Sequence, residues 1–294
     1  MNRNKIFWIT WTGVSILSIV ALFLLYAGYI EYGVTIFCIL PLCIGMLTGV
    51  MPKKKAASFG MFLSILITLI VLWATNFEGA VCILMAIPVI GIFLLIGNII
   101  AKLIKYFFKK DDEPKLTILP FLLLFLAAGI ETAWRGTDSY SKVTTTIDLP
   151  YTDSSVYSHI KKVDTVLAEP TFLHQLGLPY PKKCILTAEE IGGLRICEFE
   201  EGKIIETITK LEKNKLLEMD VTSYSMPGEN WFSFKKDIYK INTKAGISSI
   251  SRTTTYTSKL KPRLYWELIE KLTIGAEQKL VFKNLENELA TTPY

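Results

Sequence analysis

Histidine is nearly missing from this chain: His159 and His174 are the only two among 294 residues. The five cysteines never fall at metal-site spacing, so no metal centre and no cofactor are expected. There is no glycine-rich phosphate loop, nucleophile motif or kinase-type signature, which removes the enzyme classes that announce themselves in sequence. For each histidine a surface or capping role outweighs acid-base work, which needs a partner at hydrogen-bonding distance. A surplus of positive charge is also missing from the second half. Up to Arg135 there are eleven Lys+Arg against six Asp+Glu, and beyond it twenty-one against twenty-one. The whole net charge of +5 therefore lies in the first half, which excludes nucleic-acid binding by a basic face of the second.

What is present is apolar residue in two unequal shares. The chain is 51% hydrophobic with a mean hydropathy of +0.37, yet 20% charged, a combination that two dissimilar halves explain. Five apolar runs, Ile6–Ile30, Gly33–Val50, Ser58–Asn76, Ala80–Ala101 and Leu116–Ala133, each approach the roughly 20 residues that cross a bilayer. Aromatic residues such as Trp8, Trp11, Tyr29, Tyr32, Tyr106 and Trp134 sit near their ends. The first run is too long for a signal-peptide core and no small-x-small cleavage site follows it, so it reads as a span. Basic residues alternate between loops: Arg3 and Lys5, then Lys53 to Lys55, then Lys102, Lys105, Lys109, Lys110 and Lys115. Positive-inside logic predicts a plasma-membrane protein with a cytoplasmic N-terminus and, after five spans, everything beyond Trp134 outside. Glu131, near the outer interface, is the only ionisable candidate within a span, and no internal repeat suggests a transporter. The first domain, residues 1–135, is predicted to anchor.

From Val143 the period changes. "TTTIDLP" is a short strand that Pro150 ends, and "TDSSVYSHIKKV" offers Thr152 or Asp153 as N-cap of a helix with Val156, Tyr157, Ile160 and Val163 on one face. A second short helix fits "EPTFLHQLG", with Pro170 in the first turn and Gly177 as stop. Six β-type stretches follow: Lys183–Thr187, Leu194–Glu200, Lys203–Leu211, Leu216–Tyr224, Trp231–Ile241 and Ile247–Thr257. The separators are too short for parallel crossovers, so this is an antiparallel meander. Pro262 then starts a helix reaching about Ala290, with Leu264, Leu268, Leu272, Leu280 and Leu289 on an apolar face and Gly275 as a bend. On this reading Leu268→Asp with Leu272→Asp abolishes folding of the second domain.

Strand, two helices, six strands and a long helix predict a curved antiparallel sheet wrapped around the terminal helix, because no other element is long enough to cover the sheet's apolar face. The predicted fold class is thus a membrane α-helical bundle, residues 1–135, followed by an α+β helix-grip domain, residues 143–290. That order and the hairpin "IGGLRICEFEEGKIIETI" resemble the START/Bet v1-like superfamily, the polyketide cyclase and lipid transport group. The resemblance implies a hydrophobic cavity for a lipid-like or polyketide-like molecule, with few polar groups in it. Arg195, Trp231, Arg252, Tyr256 and Tyr265 are the cavity candidates. Alternation places Arg252, Thr254 and Tyr256 on one face of the last strand, without saying which face is inside. Cys184 and Cys197 flank the "AEEIGG" turn and read equally as a disulfide, permitted outside the cell, or as two buried thiols. Cys38, Cys43 and Cys82 lie in the spans as packing residues.

Three functions remain open from sequence. The leading one is a membrane-anchored binding module for a hydrophobic or lipid-like small molecule. A cyclase- or dehydratase-like enzyme would need converging acid-base groups, and a ligand-free structural or interaction domain would need large side chains filling the space under the helix. The expected partners are the membrane and the small molecule.

Overall fold

The computed structural model describes residues 2–75, 77–108, 113–133, 139–226, 229, 231–244 and 246–291. The predicted end of the third run at Asn76, the interfacial Trp134, and Lys109 and Lys110 lie outside them, and nothing is described of the Lys115 side chain. The chain divides into two compact units, Met1–Thr137 with Lys259–Trp266, and Asp138–Ser258 with Glu267–Tyr294.

The first unit holds helices α1 (Arg3–Tyr26), α2 (Leu40–Val50, entered through a π-helical turn at Thr35–Ile39), α3 (Lys54–Ala74), α4 (Ala80–Phe108) and α5 (Glu113–Ala133). All five predicted runs are helical, but not all have span length. Among the described residues α1, α3 and α4 are long and apolar enough to cross a membrane, whereas Thr35–Val50 and Ile118–Ala133 are shorter apolar helices. The expectation of five spans is therefore supported for three.

Small residues set the packing of α2. A Cβ on Gly45 would lie 2.1 Å from the Leu94 carbonyl oxygen, and one on Gly97 2.0 Å from that of Leu42, so α2 and α4 touch backbone to backbone. Gly45 and Gly49 form a small-xxx-small pattern, which permits such close backbone approach. Glu131 accepts a hydrogen bond from the Thr35 N–H (2.9 Å), capping the π-turn. The bond supplies a partner for one of the N–H groups that a helix start leaves without an intrahelical one.

The second unit is a seven-stranded antiparallel sheet in the order β1-β7-β6-β5-β4-β3-β2, with strands Ser139–Leu149, Pro181–Leu186, Leu194–Phe199, Gly202–Glu212, Leu216–Ser225, Phe232–Lys244 and Ile247–Ser258 numbered along the chain. All connections from β2 to β7 are hairpins, and β1 returns to pair with β7 over its whole length. Irregularities in β2, β4 and β6 help the sheet curl into a half-barrel. Between β1 and β2 lie α6 (Asp153–Lys161), whose N-cap Thr152 accepts from the Ser155 N–H (3.3 Å), and the one-turn α7 (Phe172–Gln175). Helix α8 (Arg263–Thr291) crosses the concave side without a break at Gly275. This is a helix-grip architecture.

The buried face of α8 differs from the one periodicity suggests. Glu270, Ile274, Gln278, Phe282, Leu285 and Leu289 face inward, while Leu264, Leu268 and Leu272 are 92%, 59% and 55% exposed. Those three leucines stand two positions off the buried ridge, roughly 200° round a helix of about 3.6 residues per turn. Polar Glu270 and Gln278 can occupy the inner ridge because the sheet supplies their partners: Tyr256 and Ser258 donate to Glu270 (3.0 and 2.5 Å), and Gln278 donates to Thr254 (2.8 Å). Leu268→Asp is accordingly expected to change stability by no more than about 0.5 kcal/mol. Phe282→Ala, which empties a fully buried site packed with Leu285 and Ile250, is expected to cost about 3–5 kcal/mol in chemical denaturation.

Candidate functional site

The concave face carries a buried charged cluster assembled by strand register. Arg195 on β3 lies directly opposite Glu206 on β4, and Tyr239 on β6 directly opposite Arg252 on β7. Arg195 is 2% and Tyr239 1% exposed. Arg195 donates from Nη1 to Glu206 (2.9 Å) and from Nη2 to the Ile160 carbonyl (3.3 Å). Arg252 donates from Nε and Nη2 to Asp237 (2.9 and 2.7 Å), and from Nη1 to both oxygens of Glu277 on α8 (3.0 and 2.9 Å). Thr254 donates to the other oxygen of Asp237 (2.5 Å). Both guanidinium carbons lie near the Tyr239 ring, at 5.5 and 5.4 Å from its centroid, within the range of cation-π attraction.

Desolvation and ion pairing oppose each other in this cluster. Burial pushes the Glu206 carboxyl up despite the opposing pull of Arg195, and likewise raises the Tyr239 phenol. Burial works to lower Arg252, but Asp237 and Glu277 outweigh it and hold the guanidinium well above its ordinary value. Each carboxylate is engaged by a guanidinium, so none is an unpaired general base.

A cavity of about 20 Å³ adjoins the cluster. Arg195, Glu206, Tyr239, Arg252 and Glu277 form its charged side; Val166, Phe199, Ile204 and Val281 form its apolar side. The bonded Cys184–Cys197 pair, directly opposite each other on β2 and β3, also lies on the wall. The connection from Val163 to Pro181 closes the cavity. It is tied by Val163 pairing with Cys184, by Asn284 of α8 accepting from the Leu167 and Ala168 N–H groups (2.7 and 3.2 Å), and by Tyr180 donating to the Ala168 carbonyl (2.5 Å). Ligand pockets for drug-sized molecules span about 300–1,000 Å³. This cavity is at the scale of one water molecule, which needs about 10–15 Å³.

No family model and no curated protein matches the chain by sequence. Solved structures with a similar architecture include Ara h 8.0201 (11% identity, TM-score 0.37), covering 52% of this chain and all of that one. A START superfamily protein from Mycobacterium smegmatis is 14% identical with a TM-score of 0.38, over 51% of this chain and 97% of that one. Truncated norcoclaurine synthase from Thalictrum flavum is 10% identical with a TM-score of 0.38, over 54% and 98%. The helix-grip assignment rests on strand order and the terminal helix, not on these superpositions.

Of the five cavity candidates, Arg195 and Arg252 come together on this wall. Tyr256 faces the same side two pleat repeats beyond Arg252, where it bonds Glu270 and packs with Val143 and Ile274. Trp231 is buried in the turn before β6 and is not among the lining residues. Tyr265 belongs to the first unit, where its hydroxyl donates to the Met85 carbonyl. Sequence reading missed Glu206, Asp237, Tyr239 and Glu277. The predicted turns did not carry this signal: counting symmetrically across "EG" would pair Arg195 with Ile208, and across "NTKAG" Tyr239 with Ser249, whereas the observed registers set Arg195 opposite Glu206 and Tyr239 opposite Arg252.

His159 shares a hydrogen bond with the Ser155 carbonyl (2.8 Å). His174 is buried in the wall connection and shares one with Thr171 (2.6 Å). Burial lowers the His174 pKa below its ordinary 6.5, with Glu200 opposing. The folded state thus binds this proton less readily than the unfolded chain. Its contribution is complete above about 6.5 and is lost as pH falls below it, so His174→Gln should flatten the decline in denaturation midpoint between about pH 8 and pH 5. Asp237→Ala removes the acceptor of Arg252 Nε and Nη2 and of Thr254, leaves Arg252 paired with Glu277 alone, and should cost about 3–5 kcal/mol in urea denaturation.

Proposed function

We propose that the chain is a membrane-anchored helix-grip module that binds a hydrophobic or amphipathic small molecule between its sheet and terminal helix. One observation carries this reading: the two-sided wall, apolar at Val166, Phe199, Ile204 and Val281 and charged at Arg195, Glu206 and Arg252, meets under α8. Such a wall suits a molecule with a small polar end. A lipid-sized occupant fits only when the connection from Val163 to Pro181 swings outward and releases its bonds to Asn284 and Lys182. The cyclase-like alternative loses weight, because the wall carboxylates are already ion-paired.

A second reading has an observation of its own. The small volume of about 20 Å³ and the pairing of Glu206, Asp237 and Glu277 with guanidiniums suit a ligand-free interaction domain with a filled core.

In the proposed topology the N-terminus is cytoplasmic and the second unit lies outside the plasma membrane. Three spans and five spans give the same side, because both numbers are odd. When α2 also crosses, the basic loop at Lys53 to Lys55 falls on the cytoplasmic side and supports that orientation, whereas with α1, α3 and α4 alone it falls outside; the bonded Cys184–Cys197 pair suits an oxidising compartment.

Native mass spectrometry of the full chain released from detergent micelles tests the binding reading. A co-purifying lipid-like mass, reduced when Val281→Trp fills the cavity, is the expected result. A bare chain mass after incubation with membrane lipids would transfer the assignment to the filled-core reading.

A further inference from the structure

The buried cluster has two loose ends. Arg195 uses Nη1 on Glu206 and Nη2 on Ile160, and its Nε is buried without a hydrogen-bond partner among the described residues. The Tyr239 hydroxyl is likewise buried and unpartnered among them. Both side chains stand on the wall of the same cavity, and the Arg195 guanidinium carbon lies 5.5 Å from the Tyr239 ring centroid. A buried polar atom without a partner is costly, and native interiors rarely keep two together. The cavity of about 20 Å³ exceeds the roughly 10–15 Å³ that a single water requires.

We infer that this cavity is a binding site for one neutral hydrogen-bond-accepting oxygen, held between the Nε–H of Arg195 and the hydroxyl of Tyr239. The acceptor character follows from Nε–H, which can only donate. Neutrality follows from the local charge. Two guanidiniums face the carboxylates of Glu206, Asp237 and Glu277, which leaves no surplus positive charge for a carboxylate or phosphate. The oxygen belongs either to a water molecule or to the hydroxyl or carbonyl group of an amphipathic molecule whose apolar part runs toward Phe199 and Val281. The site does not depend on the binding reading above, because water alone satisfies it.

The test is Tyr239→Phe in the full chain in detergent, with the denaturation midpoint of the β-sheet unit as readout. If an oxygen bonds the hydroxyl, removing it lowers the midpoint. If the hydroxyl is an orphan, removing it leaves the midpoint unchanged or raises it, and the proposal is overturned. A lowering that persists after lipid is stripped by detergent exchange assigns the oxygen to water; a lowering that vanishes with a co-purifying mass assigns it to an amphipathic molecule. Should the variant fail to fold, a high-resolution crystallographic map of the unaltered chain decides. Density for one oxygen at about 2.7–3.2 Å from both atoms supports the site, and its absence there refutes it.

Discussion

The interior of the second unit depends on the ion pairs that surround Tyr239. Taking five charged side chains out of water is expensive, and their mutual attraction returns that cost only when geometry and hydrogen bonding are close to complete. Here each guanidinium has at least one carboxylate within about 3 Å, and Thr254 holds the second oxygen of Asp237. The arrangement is therefore better understood as fixing one structure than as adding stability. Hydrophobic side chains of similar bulk would fill the same space without directional bonds between helix and sheet.

That distinction explains the seam between β7 and α8. Along β7 the inward positions after Ile250 are Arg252, Thr254, Tyr256 and Ser258, and the facing helix presents Glu277, Gln278 and Glu270. A helix sliding by one turn would break the pairs to Glu277, Gln278 and Glu270 together, leaving buried charge unmatched. Further along, Phe282, Leu285 and Leu289 meet Ile208, Leu217 and Ile250 in an ordinary apolar core. One end of the helix is thus held by directional bonds and the other by non-directional burial.

The strand order was legible because alternation and short turns leave few options: each predicted strand from β2 to β7 lies within about three residues of its observed bounds. Helix α6 was legible from its cap and its spacing. The buried face of α8 was not, because Leu264, Leu268 and Leu272 repeat every four residues as a core ridge would, whereas the true ridge includes Glu270 and Gln278. Hydrophobic periodicity cannot see a polar residue whose partner lies on a distant strand. The same blindness hid Glu206 and Asp237, which look like solvated strand charges until register sets them opposite Arg195 and beside Arg252. In the first unit apolar length was legible, while the close approach at Gly45 and Gly97 needed the packing to give the Gly45-xxx-Gly49 spacing its meaning.

The pairing of β1 with β7 constrains how the chain is made. Ser139 to Leu149 leave the ribosome directly after the apolar helices, yet their only strand partner in the sheet is Ile247 to Ser258, about a hundred residues later. Until that partner is synthesised, β1 is an open edge rich in threonine, and β7 closes the sheet only when nearly everything else is in place. Wherever the second unit folds, β1 must wait unpaired for that partner. Its run of hydroxyl side chains, Ser141 and Thr144 to Thr146, is well suited to remaining hydrated during that interval.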